Sequence, residues 1–347
     1  MKYPKNLNKG DYIGICAPSE GITDKIDIKR LDEAIKNIKE MGYKVKETKS
    51  VRNNFKGRST TAKKRAEEFM FLLEDPEVKM IIFAAGGDYL LEMIDYLDLE
   101  KIKKLEPKWM QGYSDNTGIE FIFNTNLEIP SIYCDNFKSY AMKPLYQNLK
   151  DAIKIAEGKN VIQNSFEKCE DLNKYLEEKD EKKEEENIKK GYNLTKKTKW
   201  ENLNNEKEIN IEGRMIGGCL DVISKIIGTK YDNVKNYTNK YSNDGIIWYL
   251  ESFSTTSSEL TRQLWQLKNS GYFENVNGII FGRPLFFKEE YETTYDEAIK
   301  ETLGNLNIPI IYNADIGHLA PQMAIVNGGI MKITSKNGKG TVIFEGK

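Results

Sequence analysis

Three residues far apart in this chain of 347 have the types needed to break an acyl bond: Ser114, Glu251 and His318. Ser114 stands in Trp109-Met110-Gln111-Gly112-Tyr113-Ser114-Asp115-Asn116-Thr117, where a short apolar run meets a glycine and a helical pattern begins at once. A serine on such a strand-to-helix turn has its hydroxyl lifted off the backbone and amides beside it. That geometry suits a nucleophile and its oxyanion hole. The nucleophile-elbow pattern wants glycine two residues to either side; Gly112 fills one place and Asn116 stands in the other. The ordinary alternative is that Ser114-Asp115 caps the following helix.

Glu251 follows an apolar run at residues 245–250, where a carboxylate either orients a base or simply reaches water. His318 is the single histidine of the chain, so any imidazole base here is His318. A Ser–His–carboxylate set is the minimum for acyl transfer. The serine attacks, the imidazole takes and returns the proton, and the acid sets the tautomer. Types and order alone leave a second reading open, in which the three are unrelated and His318 is a satisfied loop histidine.

The same inventory excludes other classes. One histidine and four dispersed cysteines (Cys16, Cys134, Cys169, Cys219) cannot make the usual zinc sites, so a zinc peptidase on a His-based ligand set is not expected. With 52 basic and 53 acidic residues there is no global field to attract nucleic acid or an anionic membrane. The first thirty residues show no signal-peptide pattern, and no apolar run is long enough for a span. A cytoplasmic protein with reduced thiols is the economical expectation.

The elements that must position these residues follow the apolar periodicity. A strand within residues 9–19 precedes an amphipathic helix at 26–41, a strand at 43–47 and a helix at 61–73. The continuous apolar run at 78–84 reads as a buried parallel strand. It delivers Ala85-Gly86-Gly87-Asp88-Tyr89 and a helical stretch at 90–97, before the strand at 108–111 that carries the serine. This alternation predicts a doubly wound α/β sheet with its site at the C-terminal strand ends. Gly86-Gly87 is either plain turn chemistry or a place where a ligand approaches the backbone.

Residues 176–190 hold 12 charged residues of 15 and read as a linker. Trp200, alone in polar surroundings, is either packed on a neighbour or offered to a flat ligand. A second domain follows: residues 212–220 lead into an apolar helix, then come strands at 245–250, 276–281 and 309–312 and helices at 260–267 and 296–303. A closing hairpin turns at Asn337-Gly338. The expected division is 1–165, a charged insertion at 166–210, and 211–347.

Taken together, several motifs carry a resemblance to a known family. They are Gly10-Asp11, Ile15-Cys16-Ala17-Pro18-Ser19, Gly86-Gly87 and Gly112-Tyr113-Ser114-Asp115 in the first half. In the second half they are Gly217-Gly218-Cys219-Leu220, Tyr249-Leu250-Glu251, Ile280-Phe281-Gly282-Arg283-Pro284 and Gly317-His318. The chain resembles, nearly end to end, the serine peptidase family of LD-carboxypeptidases and microcin C immunity peptidases. The resemblance implies a flavodoxin-like N-terminal domain and a C-terminal swivelling β/α domain, usually dimeric, with the triad Ser114, Glu251, His318 assembled across the domain cleft. It further implies an oxyanion hole from the backbone amides of Gly87 and Asp115, and no metal or other cofactor.

Two branches compete within the family. One releases D-alanine from muropeptide tetrapeptides. The other cleaves the linkage between an acidic aminoacyl group and a nucleotide-like moiety. The first branch usually carries an arginine before its glycine pair, where this chain has Ala85. That difference, the long insertion with Trp200 and the Phe281–Pro284 run look more like the immunity branch, so Gly86, Asp88 and Trp200 are expected at a small-molecule or short-peptide substrate. Residues 130–140 depart from either pattern. A non-catalytic nucleotide- or muropeptide-binding protein, and a Cys219 thiolate enzyme, are the readings of other classes.

Overall fold

The computed structural model describes residues 1–172 and 188–346, and the chain forms two compact units. The first is built on Met1–Asn160; the second begins at Val161 and continues over Tyr192–Glu345.

The first unit alternates strands and helices. Its elements are β1 (Tyr12–Cys16), α1 (Lys25–Glu40), β2 (Lys44–Glu47), α2 (Ala62–Glu74), β3 (Val78–Phe83), α3 (Leu91–Ile94), α4 (Leu99–Ile102), β4 (Trp109–Gly112), α5 (Thr117–Ile122), β5 (Ser131–Tyr133) and α6 (Gln147–Ala156). The strands are neighbours in the order β5-β4-β3-β1-β2, all parallel. Read from the other edge this is 2-1-3-4-5, the flavodoxin-like doubly wound order. Its switch point lies between β1 and β3, where ligands of such sheets bind. Helices on both faces explain why Ile13, Ile15, Ile81, Ile82 and Phe83 are all buried, and why β3 is a continuous apolar run.

Local signals set the helix bounds. The Asp24 carboxylate accepts from the amides of Ile26 and Asp27 and starts α1, whose buried face is Leu31, Ala34 and Ile38. The helical stretch expected over 90–97 is cut to the single turn α3. The amides of Tyr96 and Leu97 turn back to Met93 and Ile94, and Asp98 caps α4 instead.

The second unit contains β6 (Val161–Asn164), β7 (Lys168–Glu170), β8 (Leu194–Lys197), β9 (Glu201–Asn202), β10 (Glu208–Cys219), α7 (Leu220–Ile226), α8 (Val234–Lys240), β11 (Ile246–Glu251), β12 (Ser254–Thr256), α9 (Ser257–Asn269), β13 (Gly278–Gly282), β14 (Phe286–Lys288), α10 (Tyr295–Leu303), β15 (Ile310–Ala314), β16 (Ile325–Asn327), β17 (Ile330–Lys336) and β18 (Lys339–Phe344). Its main sheet runs β6-β18-β17-β10-β11-β13-β15-β9. The strands β10, β11, β13 and β15 are parallel, and the flanking ones are antiparallel. The β17–β18 hairpin turns through Asn337 and Gly338, both at positive φ, as a two-residue I′ turn requires.

Two expectations change. The insertion at 166–210 is not only a linker: β7 pairs with β8, and β9 closes the edge of the main sheet on β15. The densest part of the charged run lies in residues 173–187, outside the described residues. The strand β10 was not expected either, because Gly213, Gly217 and Gly218 interrupt its apolar pattern. Among the described residues no helix is long and apolar enough to cross a membrane.

Candidate functional site

The turn after β4 puts Ser114 in the left-handed region, at φ 65°. A residue with a Cβ is disfavoured there by about 1–2 kcal/mol, so the surroundings must hold it. They do so from several sides. The Ser114 amide donates to the Tyr133 hydroxyl at 3.3 Å, and the Tyr113 amide donates to Asn136 Oδ1 at 3.3 Å. The Asn116 side-chain amide lies 3.0 Å from the Ala85 carbonyl, 3.1 Å from the Tyr113 carbonyl and 3.0 Å from Asn136 Oδ1. Asn116 itself is helical, at φ −62°, so this turn needs no glycine at the second flanking position. The capping alternative fails on the same geometry. No side chain caps α5, and the Asp115 carboxylate points to Ser19 and to the Leu90 amide instead.

The glycine pair closes on this turn. A Cβ on Gly86 would stand 3.0 Å from both Cβ and Oγ of Ser114. Gly87 has φ 143°, and a Cβ there would fall 2.4 Å from Ser19 Oγ. Asp88 follows at the exposed side of the loop. In α5, Glu120 is fully buried, and burial pushes its carboxyl well above the ordinary range against the opposing Gly112 amide.

In the second unit, β11 ends in Glu251 and the loop after β15 brings back His318. His318 Nδ1 lies 2.7 Å from Glu251 Oε2, with the two side chains 7% and 0% exposed. The carboxylate accepts, so Nδ1 carries the proton and Nε2 is the basic atom of the ring. Such close approach depends on Gly317 at φ 97°, where a Cβ would sit 2.5 Å from the same carboxylate oxygen. Phe253 lays its ring against the imidazole at 4.9 Å between centroids and meets Phe286 edge-on at 5.1 Å. It is 44% exposed.

The structure therefore brings Glu251 to His318, and Gly86 to Ser114. Ser114, Gly87, Asp88 and Asp115 belong to the first unit; Glu251 and His318 belong to the second. Trp200 requires a correction. Its indole is 1% exposed, packs on Gly340, and donates its N–H to Asp315 Oδ2 at 2.9 Å. Arg283 holds the other Asp315 oxygen and the Leu319 and Pro321 carbonyls. Trp200 is core in this unit, not a surface ring awaiting a flat ligand, because a buried aspartate satisfies its polar edge. The thiolate reading of Cys219 finds no support, since the side chain is buried. Burial pushes its thiol well above the ordinary range, and the nearby Glu251 and Asp221 carboxylates push the same way.

Four supporting residues escaped the sequence reading: Ser19, Tyr133, Asn136 and the side chain of Asp115. Tyr133 and Asn136 fall in the stretch 130–140 that departs from the family pattern. Only their arrival beside Ser114 gives them a role. Among the described residues, no group of three or more His, Cys, Asp and Glu could hold a metal ion.

Comparison with known proteins agrees with this architecture. Residues 13–134 match the LD-carboxypeptidase N-terminal domain, and residues 212–333 match the LD-carboxypeptidase C-terminal domain. A probable murein peptide carboxypeptidase of Bacillus subtilis is 23% identical, over 99% of this chain and 94% of its own. The microcin C7 self-immunity protein of Escherichia coli is 25% identical, over 95% of this chain and 92% of its own. A solved structure of such an immunity protein in complex with glutamyl sulfamoyl guanosine superposes with a TM-score of 0.80. It is 22% identical and covers 99% of both chains, a likeness of fold.

Proposed function

Because the chain belongs to the LD-carboxypeptidase family, Peptidase S66, we propose that it is a serine peptidase with Ser114 as nucleophile, His318 as general base and Glu251 as the acid that orients it. The observation that carries this reading is the buried 2.7 Å contact between Glu251 and Nδ1 of the single histidine. A buried carboxylate on Nδ1 sets Nε2 to accept a proton and stabilises the imidazolium that results. Ser114 attacks the scissile carbonyl, and the backbone amides of Gly87 and Asp115 receive the oxyanion. His318 returns the proton to the leaving group, and water then releases the acyl enzyme by the same route in reverse. The reading requires Ser114 Oγ to reach His318 Nε2, and it requires no metal or cofactor.

The substrate we propose is the immunity type, an acidic aminoacyl group linked to a nucleotide-like moiety, with Gly86 and Asp88 beside it. Support comes from Ala85 before the glycine pair and from the relative named for microcin self-immunity. A cytoplasmic homodimer is part of the same proposal. The second reading, release of D-alanine from muropeptide tetrapeptides, is favoured by the burial of Trp200, which removes the indole as a stacking platform.

The test is kcat/KM on an aspartyl-adenylate analogue and on an L,D-tetrapeptide ending in D-alanine, for wild type and Ser114→Ala. Turnover of the adenylate analogue that Ser114→Ala abolishes is the expected result. Turnover of the tetrapeptide alone would move the assignment to cell-wall recycling. Undiminished turnover by Ser114→Ala would end the serine mechanism.

A further inference from the structure

The loop after β1 is the part of the first unit whose chemistry the proposed reaction leaves unused. Ser19, which is fully buried, donates its hydroxyl proton to Asp115 Oδ2 at 2.5 Å. The same carboxylate oxygen accepts the Leu90 amide at 2.9 Å. Ser19 Oγ in turn accepts the Tyr89 amide at 3.3 Å. The next residue, Glu20, donates its amide to the Gly86 carbonyl at 3.1 Å. Loops from three strand ends therefore meet on one aspartate and one serine.

Burial of a carboxylate is unfavourable unless it is paired or hydrogen-bonded. Asp115 has the residue type of a helix cap, yet its carboxylate serves neighbouring loops. Burial raises its pKa, and the Ser19 and Leu90 donors oppose that shift. The loop it holds is the one that has to stay fixed. Gly86 touches Ser114, and Gly87 is so close to Ser19 Oγ that a methyl group would collide with it. Arg65 adds a second tie between the same two loops, donating to the Pro18 carbonyl at 2.6 Å and the Tyr89 carbonyl at 2.9 Å.

We propose that the Asp115 carboxylate and the Ser19 hydroxyl are positioning residues that hold the Gly86-Gly87 loop against Ser114, so that its amide stays aimed at the developing oxyanion. The inference rests on the serine-peptidase reading. It gives Asp115 two separate duties, one through its backbone amide and one through its side chain. It also explains why the first unit carries a buried serine at position 19 that no reacting group touches.

The experiment uses a fluorophosphonate probe, whose phosphonyl oxygen occupies an oxyanion hole as it reacts with an activated serine. Wild type, Ser19→Ala, Asp115→Asn and the double variant are labelled, and Ser114 is confirmed as the modified residue by peptide mass spectrometry. The control Ser335→Ala loses a 2.6 Å side-chain bond in the second unit and should label at the wild-type rate. Per folded molecule, each single variant should label Ser114 about 10- to 100-fold more slowly, at the scale of a misplaced oxyanion donor. The loss should lie in the maximal rate, with half-saturation unmoved. The double variant should be no slower than the worse single one, since both cut one contact chain.

Wild-type rates in Ser19→Ala and Asp115→Asn, whatever their melting temperatures, would overturn the positioning role and leave the serine mechanism standing. Failure of the wild type to label at Ser114 would instead bring down the serine reading, and this inference with it. Ser19→Ala removes one oxygen and keeps the carboxylate, so it decides the matter if Asp115→Asn does not fold.

Discussion

The turn that carries Ser114 and the strand end that carries Glu251 solve the same problem by opposite means. At the serine, the main chain is held in an unfavourable conformation by bonds to Tyr133 at the end of β5 and to the loops after β3 and β5, and the side chain's direction follows from the backbone. At Glu251 the backbone is ordinary buried strand, and the carboxylate meets His318 side chain to side chain, an approach made possible by a glycine that lets the loop pass. The first arrangement stores strain and spreads its support. The second sets two buried side chains against each other, with Phe253 packed on the imidazole. Damage at the serine should therefore spread across many weak contacts, whereas loss of the Glu251–His318 contact should act directly on the proposed base.

The largest effect separates chemistry from strain. Ser114→Ala should lower kcat by about four to six orders of magnitude with folding kept. Ser114→Gly should be equally inactive but more stable than Ser114→Ala, by about 1 kcal/mol, because glycine tolerates positive φ. Denaturant melts of the two variants check this, and equal stabilities would mean that the turn holds no strain.

Next in size is the Glu251–His318 contact. Glu251→Gln should lower kcat by about two to four orders of magnitude, since an amide does not fix the Nδ1–H tautomer as a carboxylate does. Gly317→Ala should fall in the same range without touching either group, because its methyl displaces the carboxylate. Steady-state kinetics of both variants test the comparison, and a normal kcat in Gly317→Ala would break it.

In the helix after the serine, Glu120 gives a pH signature. Its folded pKa is raised by burial, so the folded state binds the proton more tightly than the unfolded one. Stability is then full below the unfolded carboxyl range and is lost as pH rises toward the folded pKa. Wild type should lose melting temperature between pH 5 and pH 9 relative to Glu120→Gln, which keeps the shape without the titration. Parallel curves for the two proteins would exclude this carboxyl as a source of pH dependence.

The smallest effect is at Trp200. Trp200→Phe keeps an aromatic body but removes the indole donor from Asp315 Oδ2, which keeps the Phe166 amide, a loss of about 1–3 kcal/mol in stability. Catalysis should be within about twofold of wild type, because the ring serves packing in the second unit. A fall in kcat/KM with no change in stability would return Trp200 to the substrate.

Periodicity and punctuation were enough to read the alternating first unit, from the capped α1 to the apolar β3, because each such element is decided by its own residues. The I′ turn at Asn337-Gly338 was legible for the same reason. So were the candidate residues themselves: a single histidine, and a serine between a strand and a helix, stand out in the sequence alone. What the sequence could not decide were contacts between elements distant in the chain. Ser19 is an unremarkable loop serine until the fold sets it 2.5 Å from Asp115, 96 positions away. Tyr133 and Asn136 lie in a stretch without a motif, and they matter only because β5 lies beside β4. Trp200 looked stranded because its partners, Asp315 and Gly340, are more than a hundred residues further on. Residue type limits what chemistry a side chain can do, and local pattern limits the element it sits on. Partners and burial depend on long-range packing, which only the tertiary structure decides.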